Sequence, residues 1–187
     1  MYQIACILAI VVMMMVVVSV CQNNGEGKSR YILLSIFVVF VIGNLYFTLF
    51  SRYVGQDVHL ELVPFRTYVR LLLEPTAIDE ASSGYSVKFL NGITTVAGLI
   101  LNILLYYPLG YLLPILFPKL KPKHVVLIGC LCSIATEATQ YLFKMGWCET
   151  DDVIHNTLGT TIGVCVWLLQ SQRRQKGQKQ NDESTTL

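Results

Sequence analysis

The sequence predicts an all-α integral membrane protein: a helical bundle of about five transmembrane helices, with an amphipathic helix in a long extracytoplasmic loop. Three observations carry that expectation. Of 187 residues 53% are hydrophobic and only 14% charged, where a soluble domain carries about 25% charged residues. Mean hydropathy is +0.54. The apolar residues also gather into runs near the roughly 20 residues that a bilayer crossing needs.

Five such runs stand out, at 2–20, 31–50, 93–117, 125–143 and 153–169. In hydrocarbon every backbone polar group needs an internal partner, so each run should be a helix. The first has the length of a signal peptide. It begins MYQIAC without Lys or Arg, and no small-residue cleavage box precedes Cys21, so a retained helix is expected. The third contains YYPLG, with Pro108 and Gly110. Proline removes a backbone donor and glycine relaxes the next turn, which predicts a kink and open space at the bundle centre. The fifth carries Gly159 and Gly163, a GxxxG pair that permits close backbone approach between helices. The same face could join two copies in a homo-oligomer. The bundle is expected over 1–170, and the basic segment 171–187 has too few apolar residues to fold.

Orientation follows from the basic flanks. Lys28, Arg30, Lys119, Lys121, Lys123 and the tail residues Arg173, Arg174, Lys176 and Lys179 fall on one side. Arg52, Arg66, Arg70, Lys88 and Lys144 fall on the other, outnumbered by acids. The N-terminus is therefore expected outside and the C-terminus in the cytoplasm. A net charge of +2 gives no reason to expect nucleic acid, and membrane lipid is the expected partner. The six cysteines lie mostly in or beside the apolar runs, where Cys acts as a small hydrophobe; no disulfide framework is expected.

The connection between the second and third runs is long enough to have a purpose. Pro64 suits a first helical turn, and Phe65, Tyr68, Val69, Leu72 and Leu73 follow at helical spacing. Arg66 and Arg70 share one side of that helix. They either snorkel to the interface or hold a phosphate or a carboxylate.

The carboxylate that needs explaining is Glu137, inside VVLIGCLCSIATEATQYLF (125–143). An ionisable group there costs roughly 2.5–3.5 kcal/mol on insertion scales and is tolerated mainly when it faces the bundle interior or a wet cavity. At 1.5 Å per residue, Asn102, Glu137, Asp152 and Asn156 reach similar depths in the outer half of the bilayer. Ser133, Thr136, Glu137 and Gln140 form one helical stripe. Such groups either join helices, at about 0.6–2 kcal/mol per hydrogen bond, or build a site. In a site, Glu137 and Asp152 would be the acid and base, with Asn102, Gln140, Asn156, Glu149, Asp151, Arg66 and Arg70 binding. His155 follows Asp151 by four residues and Asp152 by three, a ligand-capable spacing. No second His stands near it, so no metal is expected, and no cofactor.

The segments LVPFRTY (62–68), NILLYYPLGYLLP (102–114), SIATEATQ (133–140) and DDVIHNTLG (151–159) together resemble the VanZ-like family of small bacterial membrane proteins. Carried over by position, the family's polar and structural residues fall on Asn102, Pro108, Gly110, Glu137, Gln140, Asp152, Asn156 and Gly159. An upstream acid of the last motif corresponds to Glu149. Where the family often has Arg after a turn glycine, Gly146 is followed here by Trp147. The resemblance implies a multi-pass protein of the bacterial cell membrane and a role in susceptibility to glycopeptide antibiotics of the teicoplanin type. Two alternatives accompany it: an intramembrane enzyme acting on a phospholipid or lipid-linked substrate, and a small proton-coupled transporter or membrane scaffold.

Overall fold

Helices dominate the computed structural model, which describes residues 18, 26–50, 52–66, 68–69 and 84–185. Helix α1 covers Glu26–Leu45 and continues as a π-helical turn, Tyr46–Phe50. Strand β1 is His59–Glu61, α2 is Gly84–Leu116, α3 is Pro122–Leu142, β2 is Trp147–Glu149, and α4 is Thr150–Thr185. Three stretches are long and apolar enough to cross a membrane: Arg30–Phe50, Ile93–Leu116 and Pro122–Leu142. The run expected at 153–169 lies within α4. The run expected at 2–20, apart from Val18, and residues 70–83 lie outside the described residues. Of the expected amphipathic helix, only its start, with helical residues at 66, 68 and 69, is described.

The most extensive packing in the molecule is between α2 and α4, and glycine makes it possible. A Cβ on Gly110 would overlap the carbonyl oxygen of Thr160; one on Gly159 would overlap that of Ile103, and one on Gly163 that of Tyr107. The GxxxG face is therefore used up inside the chain, against α2, and is not free to supply the homo-oligomer contact expected of it. Helix α2 also runs as one element through Pro108 and Pro114. Instead of opening space, Pro108 is buried and Gly110 admits the neighbouring backbone. Prolines are tolerated in membrane helices where adjacent helices pack around them.

Away from the polar seam the core is aliphatic, with Leu105, Leu109, Leu113, Val125 and Val164 in one cluster. A second joins Leu33, Tyr111, Leu112 and Leu116 with Val18. The Tyr111 hydroxyl, buried between α2 and α4, donates to Gln170 Oε1 at 2.6 Å. Beyond this contact α4 does not stop. The segment expected to lack structure from 171 onward continues the helix to Thr185, with residues 172–180 exposed. Gln, Arg and Lys are good helix formers, and adding turns to a helix already nucleated by packing costs little.

Two short crossings complete the frame. Lys144 adopts a left-handed φ of 54°. Its N–H donates to the Tyr141 carbonyl at 3.2 Å, and the Met145 N–H donates to the Gln140 carbonyl at 2.9 Å. Those bonds are the Schellman pattern of a helix end. They turn the chain into β2, which pairs in parallel with β1 in the register His59 to Trp147 and Glu61 to Glu149. The His59 ring stacks on Trp147 with centroids 4.6 Å apart.

Because the α2–α4 contact is made backbone to backbone, Gly159→Ala should lower stability by about 1–3 kcal/mol, the usual cost of overpacking. Gly43→Ala, where an added Cβ meets open space, should gain up to about 1 kcal/mol. Thermal unfolding of both variants in detergent checks the pair.

Candidate functional site

The site lies at the end of the bundle that carries the two-stranded sheet, and it begins with Glu137. Its side chain is 6% exposed, and Oε2 accepts a hydrogen bond from the Glu149 backbone N–H at 3.1 Å. The Cys148 thiol also faces this carboxylate. Glu137 thus ties α3 to β2, directly ahead of the first turn of α4. Burial and the Glu137 charge push the Cys148 thiol up to about 11, so at neutral pH it stays protonated and unreactive.

From that turn two aspartates diverge. Asp152 Oδ1 accepts from Asn102 Nδ2 on α2 at 2.6 Å. Asp151, 4% exposed, accepts at 2.6 Å from the backbone N–H of Phe65. Phe65 has a φ of 63°, a left-handed conformation that costs a non-glycine residue about 1–3 kcal/mol. A hydrogen bond to a charged acceptor contributes about 1.5–3 kcal/mol, enough to hold the loop in this shape. One turn further along the loop, the Tyr68 hydroxyl meets His155 Nε2 at 3.1 Å.

These contacts surround a cavity of about 260 Å3. Glu149, Asp151, Asp152 and His155 form its acidic side, with Tyr68 on the loop and Thr94 and Thr95 on α2 opposite. Burial raises the Glu149 carboxyl above the usual carboxylate range, and the charges of Asp152, Asp151 and Glu61 add to the shift. The Tyr68 phenol moves up for the same two reasons, burial first and then Asp151, Asp152 and Glu149. Arg52 is the cation within electrostatic reach of Glu137, Glu149 and Asp152 together. Its guanidinium donates to the Trp147 carbonyl at 3.4 Å.

The structure brings most of the expected residues to one end but divides their parts. Asp151, Asp152, Glu149 and His155 line the cavity; Glu137 stands behind them, turned toward Glu149. Asn102 holds Asp152. Asn156 Nδ2 donates to Ser133 Oγ at 2.8 Å inside the α3–α4 seam, and Gln140 Nε2 donates to the Thr48 carbonyl at 2.9 Å. Both therefore join helices. Arg66 pairs with Glu61 at 3.2 Å and is 47% exposed, so its ion pair is on the surface and not with the buried carboxylates. Pro64 sits in the turn before Phe65, and Arg70 lies outside the described residues. His155, Asp151 and Glu137 each meet a different partner: Tyr68, the Phe65 N–H and the Glu149 N–H. Among the described residues no group of three or more His, Cys, Asp or Glu is placed to hold an ion.

Sequence reasoning overlooked four members of the site. Thr94 and Thr95 are a polar pair in an apolar run, and Arg52 stands two residues past the second run; both were visible signals. Tyr68 read as part of an apolar helical face, and only its contact with His155 reveals a polar use.

The fold and this carboxylate-rich end define a helical membrane protein with a polar pocket at one end of its bundle. The chain belongs to the VanZ/LLP1 family, whose family model matches residues 5–171, in agreement with the resemblance seen in its motifs. No curated protein and no solved structure matches it.

The folded protein holds the Glu149 proton more tightly than the unfolded chain. Its stabilising contribution is therefore complete below about pH 4.3 and is lost as the pH rises through the folded value. Glu149→Gln should melt higher than the natural protein at pH 8, and the gap should close toward pH 4, as read by thermal melts across that range. Asp151→Ala should speed amide exchange at Phe65 by about tenfold or more, the equivalent of losing ~1.5 kcal/mol; hydrogen–deuterium exchange measures it.

Proposed function

We propose that this VanZ/LLP1-family protein works at the outer face of the bacterial cell membrane, binding the polar head of a lipid-linked envelope component. By altering or shielding that component it would modulate susceptibility to glycopeptide antibiotics. The topology behind this reading is five crossings, N-terminus outside and C-terminus in the cytoplasm, which puts the carboxylate-lined cavity at the outer leaflet. The observation that carries it is the cavity formed by Asp151, Asp152, His155 and Tyr68 at one end of membrane-crossing helices. A pocket there meets lipid heads from the side and envelope polymer from above. A small number of oriented polar groups in a concave site is the usual form of a ligand pocket.

An enzymatic reading has one specific support. Asp152 and His155 line the same cavity one helical turn apart, which suits general acid–base work on a bound head group. Glu137 fits less well as the reacting group, since it is behind the cavity and occupied by the Glu149 amide. A proton-coupled transporter has less support still. On the side of the seam away from the sheet, the described core carries no buried carboxylate and is mostly apolar, with Leu112, Leu116, Val125 and Val164 buried beside Tyr111.

Lipid extracts of cells carrying the natural protein, Asp152→Asn or no protein, compared by mass spectrometry alongside teicoplanin sensitivity, test the proposal. Asp152→Asn should reproduce the deletion in both readouts while the protein still accumulates in the membrane. Glu137→Gln should instead lower the amount of folded protein, because it weakens the brace on Glu149. Identical lipid profiles and identical sensitivity across all strains would refute the reading.

A further inference from the structure

A second cavity, also of about 260 Å3, lies farther along α2 from Asn102 and shares no lining residue with the first. It lies between α1 and α3, two membrane-crossing stretches. Its walls are mostly apolar, with Phe40 and Leu49 on the α1 arm, Leu109 on α2 and the small residues Cys132, Ala135 and Thr139 on α3, and polar side chains enter from Asn44, Tyr106 and Thr136 beside Thr139. The gap has a mechanical cause. At the sheet end, Gln140 Nε2 bonds the Thr48 carbonyl at 2.9 Å; on the cavity wall, Asn44 Nδ2 bonds the Leu105 carbonyl of α2 at 3.0 Å. The first of these uses a carbonyl in the π-helical turn Tyr46–Phe50. Farther along the helices, Cys132 and Ala135 are too short to reach α1.

An apolar gap loses dispersion contacts on every wall, and in a bilayer the fluid available to fill it is hydrocarbon. The first apolar run of the chain is the other possible filler. Its one described residue, Val18, is buried against Leu33, Tyr111, Leu112 and Leu116, in a cluster that includes Trp167 of α4. Val18 is not among the residues that line the groove. At about 30 Å3 per methylene-sized group, close to the liquid share of a water molecule, the space holds roughly nine such groups. The low wall of Cys132, Ala135 and Thr139 favours an unbranched chain over one with methyl branches.

We infer that this groove is a lipid site taking one acyl chain of a bilayer phospholipid, separate from the carboxylate-lined cavity. The chain seats between α1 and α3 and braces the Gln140–Thr48 contact from below.

Native mass spectrometry of the full-length protein released from detergent tests this. The natural protein should retain one phospholipid per chain. Ala135→Phe, which fills the groove, should cut the retained fraction at least fivefold. Leu131→Phe, on the exposed surface of the same helix and outside the groove, should leave it unchanged. Cys132→Leu is judged by the same criterion if Ala135→Phe does not fold. The inference falls if no lipid is retained, if groove and surface variants behave alike, or if the retained mass is a polyprenyl phosphate. It also falls if a photo-crosslinker at position 135 attaches to residues 2–20 in place of phospholipid.

Discussion

Close approach of the α2 and α4 backbones is the constraint on which the rest of this protein depends. Gly110, Gly159 and Gly163 allow each helix to rest on carbonyl oxygens of the other. In a bilayer this matters more than in water, since apolar side chains gain little from leaving lipid and packing must supply the association. The same approach sets the polar chemistry. With Gly159 against Ile103, the side chain of Asn102 arrives at Asp152, one or two turns toward the sheet end. A bulkier face would separate the helices and leave a buried carboxylate without its donor.

Glu137 plays the complementary part on α3. Placing a carboxyl in a membrane-crossing helix costs several kcal/mol unless it is partnered. Here the partners are the Glu149 N–H and the Cys148 thiol, and through them the turn between α3 and α4 gains a fixed shape. The parallel pairing of β1 with β2 carries that order to the loop that follows α1. Asp151 extends it to Phe65, and His155 to Tyr68. A chain of hydrogen bonds thus runs from a buried helix position to the roof of the cavity.

The polarity of the bundle is one-sided. Ser133, Thr136, Glu137, Gln140, Asn156 and Thr160 form a buried seam along α3 and α4. Tyr106 joins it through Thr136, with oxygens 3.3 Å apart. Gln140 Oε1 and Asn156 Oδ1 accept no hydrogen bond among the described residues, which leaves two open acceptors in the seam. Past Thr160 the packing becomes mostly apolar, with the Tyr111–Gln170 hydrogen bond as its polar contact. Such an arrangement suits recognition at one membrane face better than passage through the bilayer.

Much of this was legible in the chain itself. Charge scarcity and run length determine a helical membrane protein, because hydrocarbon leaves the backbone no other way to pair its polar groups. Four ordered motifs determine the family, and a carboxylate in an apolar run marks Glu137 as exceptional. Roles were not legible in the same way. The sequence places Glu137, Asp152, Gln140 and Asn156 at similar depths, but depth is a coordinate along one axis. Which group faces a cavity and which faces a neighbour depends on helix rotation and on the separation of backbones. The glycine contacts, the Schellman turn at Lys144 and the pairing of β1 with β2 set those quantities. Tertiary structure alone therefore decided that Asp152 and His155 line the pocket while Glu137 braces it, and that the GxxxG face is spent within the chain. Each of those outcomes rests on contacts between residues far apart in sequence, which no local pattern encodes.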